Sequence, residues 1–144
     1  MYQAKEIISD SLRVINNLDL TNLKIKLQTQ NGWTPEECEA AETWYKRFLT
    51  LRVKYPDKEL VPNKEIDEIW HLHILDTRKY SNDCKDIFGS FFHHSPSYGQ
   101  RNLSNELEMT KSLYRAEFGE DFILQSSASC GGSDCSGSDC NSSS

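Results

Sequence analysis

Of the residues in this 144-residue chain that could hold a metal or move a proton, the four histidines come first, and two of them flank a leucine beside a tryptophan in "EIDEIWHLHILDTRKYSNDC", residues 65–84. At about 100° per residue, His71 and His73 on one helix point about 200° apart, so they cannot share an ion. A zinc-binding pair on a helix needs the i,i+4 spacing of HExxH, which is missing here. The same geometry gathers Ile66, Ile69, Trp70, His73, Thr77, Tyr80 and Cys84 on one side, the expected core face, and leaves His71 on the other. Each imidazole then has a carboxylate to fix its ring. Asp67 lies one turn before His71, and His73, Asp76 and Tyr80 follow one another at i, i+3, i+7 along one edge.

Three chemistries fit this pattern. In the first and preferred one, His73 is a core histidine satisfied by Asp76, Tyr80 or a backbone carbonyl, as buried polar groups require. In the second, His71 or His73 joins His93 or His94, brought round by the irregular "GSFFHHSPSYG", together with Asp76 or Cys84. Such a mixed imidazole, carboxylate and thiolate set would suit zinc or another divalent transition metal. The third is general acid–base catalysis by a His–Asp pair. No nucleophile elbow, P-loop or dinucleotide fingerprint accompanies them, which weighs against an enzyme. Trp44 and Trp70 read as core anchors, Trp33 as closing a turn, and Tyr98–Gly99 as a packing turn.

The elements that must position these residues read as helices. Apolar residues recur at a helical period over 4–17. In "DLTNLKIKLQ" Leu23, Ile25 and Leu27 alternate as in a strand, but Leu20, Leu23 and Leu27 fit the short helix favoured here. "NGW" is a turn. Thr34, Pro35 and Glu37 then form a capping box with proline at the first helical position, starting a helix that runs to about Tyr55, where Pro56 stops it. Asn63 caps the next helix, with Glu65 and Asp67 in its first turn. That helix is expected to continue unbroken to about residue 82 and on toward Phe88. A last helix spans roughly 104–118 and stops at Gly119. The fold class is therefore all-α: one compact body of four to five helices over residues 1–125, followed by a disordered tail over 126–144.

Composition narrows the function classes. The chain carries 16 basic and 22 acidic residues, a net charge of −6, of which Asp134 and Asp139 leave −2 on the tail. With no basic block, it lacks the footprint of a nucleic-acid binder. No apolar run reaches the length needed to span a bilayer, so no membrane partner is expected. "MYQAKEIISDSLRV" has charges where a signal peptide needs an apolar stretch, and a cytoplasmic location is expected. An odd total of five cysteines in a reducing compartment argues against a disulfide framework. Cys38 and Cys84 fall within helices as small hydrophobes. Cys130, Cys135 and Cys140 cannot be explained that way: they recur every five residues in "SSASCGGSDCSGSDCNSSS", which has no large apolar side chain to offset ordering entropy.

With these residues laid out, the middle of the chain resembles the glycine-rich domain-containing-protein-like family. "LVPNKEIDEIWHLHILDTRKYSNDC", "IFG", "HH", "YG" and the late "FG" at 118–119 carry the resemblance, over roughly residues 23–119. It implies that Asp67, Trp70, His71, His73, Asp76, Tyr80, Asp83 and His93 or His94 are signature positions. The family is mostly uncharacterised, so the likeness implies a fold more than an activity. The chain departs from it at Ser95-Pro96-Ser97-Tyr98, where the family tends to carry an aromatic-Pro-aromatic segment.

Together these features favour a non-catalytic binding or carrier body that presents a Cys/Ser/Gly tail. The tail resembles the core of peptides whose Cys and Ser are cyclised by maturation enzymes, which would make such an enzyme the partner and the body an oversized leader. Its three thiols would alternatively take a soft metal directly. The competing expectations are a zinc-like site or metal-dependent enzyme built on His71 or His73 with His93 or His94, and a plain protein-interaction module.

Overall fold

Capping chemistry sets the helix starts in the computed structural model, which describes residues 2–93 and 103–123. The Thr34 hydroxyl accepts the Glu37 N–H at 3.1 Å while the Glu37 carboxylate accepts the Thr34 N–H at 2.8 Å, the reciprocal pair expected of a capping box. Asn63 caps its helix one way, its side-chain oxygen accepting the Ile66 N–H at 2.8 Å. Gly32 and Gly89 end helices at φ 71° and 76°, left-handed conformations that side chains rarely adopt.

Six helices result, α1 (Tyr2–Asn16), α2 (Thr21–Asn31), α3 (Pro35–Lys54), α4 (Lys64–Leu75), α5 (Thr77–Phe88) and α6 (Leu103–Phe118), with no strand among the described residues. The all-α expectation holds, with one helix more than the upper count expected. The ambiguous second segment is helical: Leu20, Leu23 and Leu27 are buried while Ile25 stays 50% exposed, a face of period 3.6 rather than 2. His94, Tyr98, Gly99 and the whole 126–144 tail lie outside the described residues. No helix among the described residues is long and apolar enough to cross a membrane.

The helix expected to run unbroken from residue 64 is the main correction. It stops at Leu75 and restarts at Thr77, with Asp76 at φ −83°, ψ 75° between them. The Asp76 N–H still reaches back to the Leu72 and His73 carbonyls, and its own carbonyl accepts the Tyr80 N–H at 2.8 Å. One residue thus closes α4 and opens α5. Thr77, expected on the core face, is exposed as a result. His71 and His73 both precede the break, so their opposite orientation survives.

The core gathers around α3, which packs on α1, α2, α4 and α6. Its buried stripe, Cys38, Ala41, Tyr45, Phe48, Leu49 and Leu51, meets Ile15, Leu23, Leu27, Ile66 and Ile69. Burying each large aliphatic side chain contributes about 1.5–3 kcal/mol. The rim is polar. Lys24 on α2 reaches Glu39 and Glu42 on α3 at 2.8 and 2.7 Å. Against α6, the Trp44 ring stacks on Tyr114 at 5.1 Å, and Arg47 binds the Tyr114 hydroxyl and Glu120 at 2.7 and 2.8 Å. Thr110, fully buried on α6, accepts the Val61 N–H at 2.9 Å and so joins α6 to the loop before α4.

Replacing Thr34 by Ala removes the acceptor for an orphan helix N–H. The expected loss is about 1 kcal/mol, read as a lower urea midpoint with an unchanged slope.

Candidate functional site

The break at Asp76 determines what meets what. On one straight helix, residues ten apart stand about 15 Å apart along the axis. Here His73 Nε2 lies 2.8 Å from Asp83 Oδ2, and Trp70 Nε1 lies 2.9 Å from the Tyr80 hydroxyl. Both pairs are ten residues apart, and α4 and α5 pack on each other. The expected partner of His73, Asp76, is spent on the break, and Asp83 takes its place.

The second ring nitrogen finds a partner that sequence reasoning missed. The Tyr45 hydroxyl on α3 lies 2.6 Å from His73 Nδ1, and both residues are within 1% of full burial. Proton bookkeeping assigns the roles. Asp83, as a carboxylate, accepts, so Nε2 carries the hydrogen and Nδ1 accepts from the Tyr45 O–H. Burial holds the Tyr45 phenol well above its ordinary pKa, so it remains a donor. The imidazole is thereby fixed as the neutral Nε2–H tautomer, its ring edge-on to Tyr45 and to Tyr80 with centroids 5.6 and 4.8 Å away.

Burial pushes the His73 pKa down, outweighing the upward pull of Asp83. The geometry acts in the same sense. A proton on Nδ1 would turn Tyr45 from donor to acceptor and strand the phenolic hydrogen inside the core. Lys79 approaches the same Asp83 oxygen at 3.2 Å, so the carboxylate is shared between the buried ring and a half-buried cation. A second run of bonds lies alongside: Trp70 N–H donates to the Tyr80 hydroxyl, which donates in turn to the Phe92 carbonyl.

The remaining candidates fall elsewhere. His71 is exposed, with Asp67 one turn earlier at 3.7 Å. His93 is exposed and lies against Phe91, ring centroids 4.8 Å apart. Cys84 is buried, and burial raises its thiol pKa, which favours an inert thiol over a thiolate ligand. Among the described residues no three His, Cys, Asp or Glu side chains converge to hold a metal ion. What the arrangement can do chemically is hold one tautomer rigidly. At its centre, both ring nitrogens of His73 are engaged and the Cys84 thiol is buried.

A family model described as UCP032817-like matches residues 11–127, most of the chain and all of this site. The chain is also similar to Glycine-rich domain-containing protein 2 of Arabidopsis thaliana, 30% identical over 82 residues. That match covers 54% of this chain and only 10% of the Arabidopsis protein. No solved structure matches.

Two measurements check the site. Tyr45→Phe keeps the packing but leaves Nδ1 without a donor, and is expected to cost about 1–3 kcal/mol in urea unfolding. For pH, the folded His73 value lies below the unfolded one, so between the two the unfolded chain binds more protons and stability rises with pH. The urea midpoint is therefore expected to fall between about pH 7.5 and pH 5.5, and a higher midpoint at the acid end would contradict the assignment.

Proposed function

The chain belongs to the UCP032817-like family, and on that footing we propose that its body is a non-catalytic binding or carrier module that presents Cys130, Cys135 and Cys140 for modification or for capture of a soft metal. The observation that carries this reading is the state of His73. Both its nitrogens are engaged, by Tyr45 at 2.6 Å and Asp83 at 2.8 Å, in a core that leaves the residue 1% exposed. General base catalysis needs a nitrogen within reach of a substrate proton, and metal binding needs a free lone pair. His73 has neither to spare, so it acts as architecture.

The chemistry of the chain then concentrates in the tail. Thiols at a five-residue spacing, interleaved with Ser, Gly and Asp, offer repeated nucleophiles to a modifying enzyme, and as thiolates they favour zinc or copper(I). Ile123 supports a fixed root for that tail, since its carbonyl accepts the Asn63 side-chain N–H at 2.9 Å. In this reading the maturation enzyme or another protein partner recognises the body, and the protein works in the cytoplasm, where its thiols stay reduced.

An intact mass spectrum of the protein from its native host tests the proposal, alongside titration of the reduced full chain with zinc and copper(I). A mass shifted from that of the sequence and mapped to the three tail cysteines, or stoichiometric metal lost on their replacement by Ser, is expected. An unmodified mass together with no metal uptake would overturn it.

A further inference from the structure

We propose that the groove between α1, the end of α3 and the end of α5 binds a small carboxylate carrying one apolar ring or short chain. The groove lies in the body and does not depend on what the tail cysteines carry, so this proposal and the preceding one fail separately. Its volume is about 240 Å³, and its walls include Ile8, Ile87, Phe88, Phe91 and Phe92, with Arg52 as the only charged side chain among the lining residues. For scale, a cavity of about 150 Å³ admits benzene. The space suits a six-membered ring with a short acid-bearing arm.

Arg52 supplies the polar end. Its guanidinium lies 5.2 Å from the centre of the Phe92 ring, and one of its N–H groups donates to the Pro56 carbonyl. These two contacts aim the planar fork while spending only one of its five donors. No carboxylate pairs with it among the described residues, whereas Arg13, Arg47 and Arg115 each have one. An oriented, unpaired guanidinium beside an apolar wall fits a carboxylate bidentately. Two hydroxyls also line the groove, those of Ser11 and Ser90, and the Ser11 hydroxyl already donates to the Ile87 carbonyl at 2.6 Å. It holds α1 against α5, and the groove keeps a rigid floor.

The ligand would be sensed by the core. Phe92, which lines the groove, stacks on Trp70 at 4.8 Å and 27°, and its carbonyl accepts the Tyr80 hydroxyl. Trp70 is buried, so its indole N–H resonance reports on the groove without facing it.

The test titrates the full-length chain with phenylacetate, the neutral isostere phenylacetamide, and acetate, following amide and indole N–H resonances. Phenylacetate is expected to bind at least about tenfold tighter than phenylacetamide, and acetate to show no saturation, because both the charge and the ring contribute. In Arg52→Gln the preference for the acid should shrink to about onefold while the ring still binds. Equal affinity for acid and amide in the unaltered chain would overturn the proposal. So would the absence of a saturable shift up to about 20 mM, or shifts that do not include Phe92 and the Trp70 indole. A concentration-dependent dimer abolished by Arg52→Gln would assign the groove to a second copy of the chain and would overturn it as well.

Discussion

A single interruption, at Asp76, decides how this protein can use its polar aromatic residues. Were α4 and α5 one rod, Trp70 and His73 would look out at residues of other helices, and Tyr80 and Asp83 would sit two to three turns further along. Bending the chain at one residue brings side chains ten residues apart within hydrogen-bond reach and gives the indole and the imidazole partners from their own neighbourhood. Asp76 suits the position. Short polar side chains compete with helical hydrogen bonding and favour helix boundaries, and its backbone serves both ends at once.

The bonds assembled this way are directional. Hydrogens run from Tyr45 to His73 to Asp83, and from Trp70 to Tyr80 to Phe92, so no donor in either run competes with another. Each neutral bond contributes only about 1 kcal/mol over its hydrated alternative, and the one to the Asp83 carboxylate about 1.5–3 kcal/mol, comparable to a buried leucine. Its weight lies in the asymmetry: a partner lost from such a run leaves a buried group unpaired at greater cost than the bond was worth. Apolar packing among α1 to α4 therefore holds the body together, while the polar runs select one arrangement of α5 and of the segment reaching Phe92.

Much of this was legible from local signals. The start of α3 could be read because Thr34, Pro35 and Glu37 fall within four positions, and capping depends on nothing further away. The opposite orientation of His71 and His73 followed from helix geometry alone. The break was hidden for a physical reason: His73, Tyr80, Cys84 and Ile87 stay in helical phase across it, so hydrophobic periodicity passes through Asp76 undisturbed. The only local sign was a capping-type residue followed by a β-branched one in mid-helix. Tyr45 was out of reach because it lies 28 residues from His73. Its one clue was a hydroxyl on the buried stripe of α3, which must find a partner somewhere. Groove and guanidinium were equally unreadable, since they join parts of three helices.

The two side-chain ends of Asn63 serve regions far apart in the chain. Its oxygen caps α4 from three residues away, whereas its nitrogen waits for a carbonyl 60 residues downstream. The tyrosine–histidine run and the packing of α1–α5 use no residue of α6, so they can form before α6 docks. Until α6 docks, Trp44 on α3 lacks the Tyr114 and Phe122 rings that pack against it, so this face is covered last.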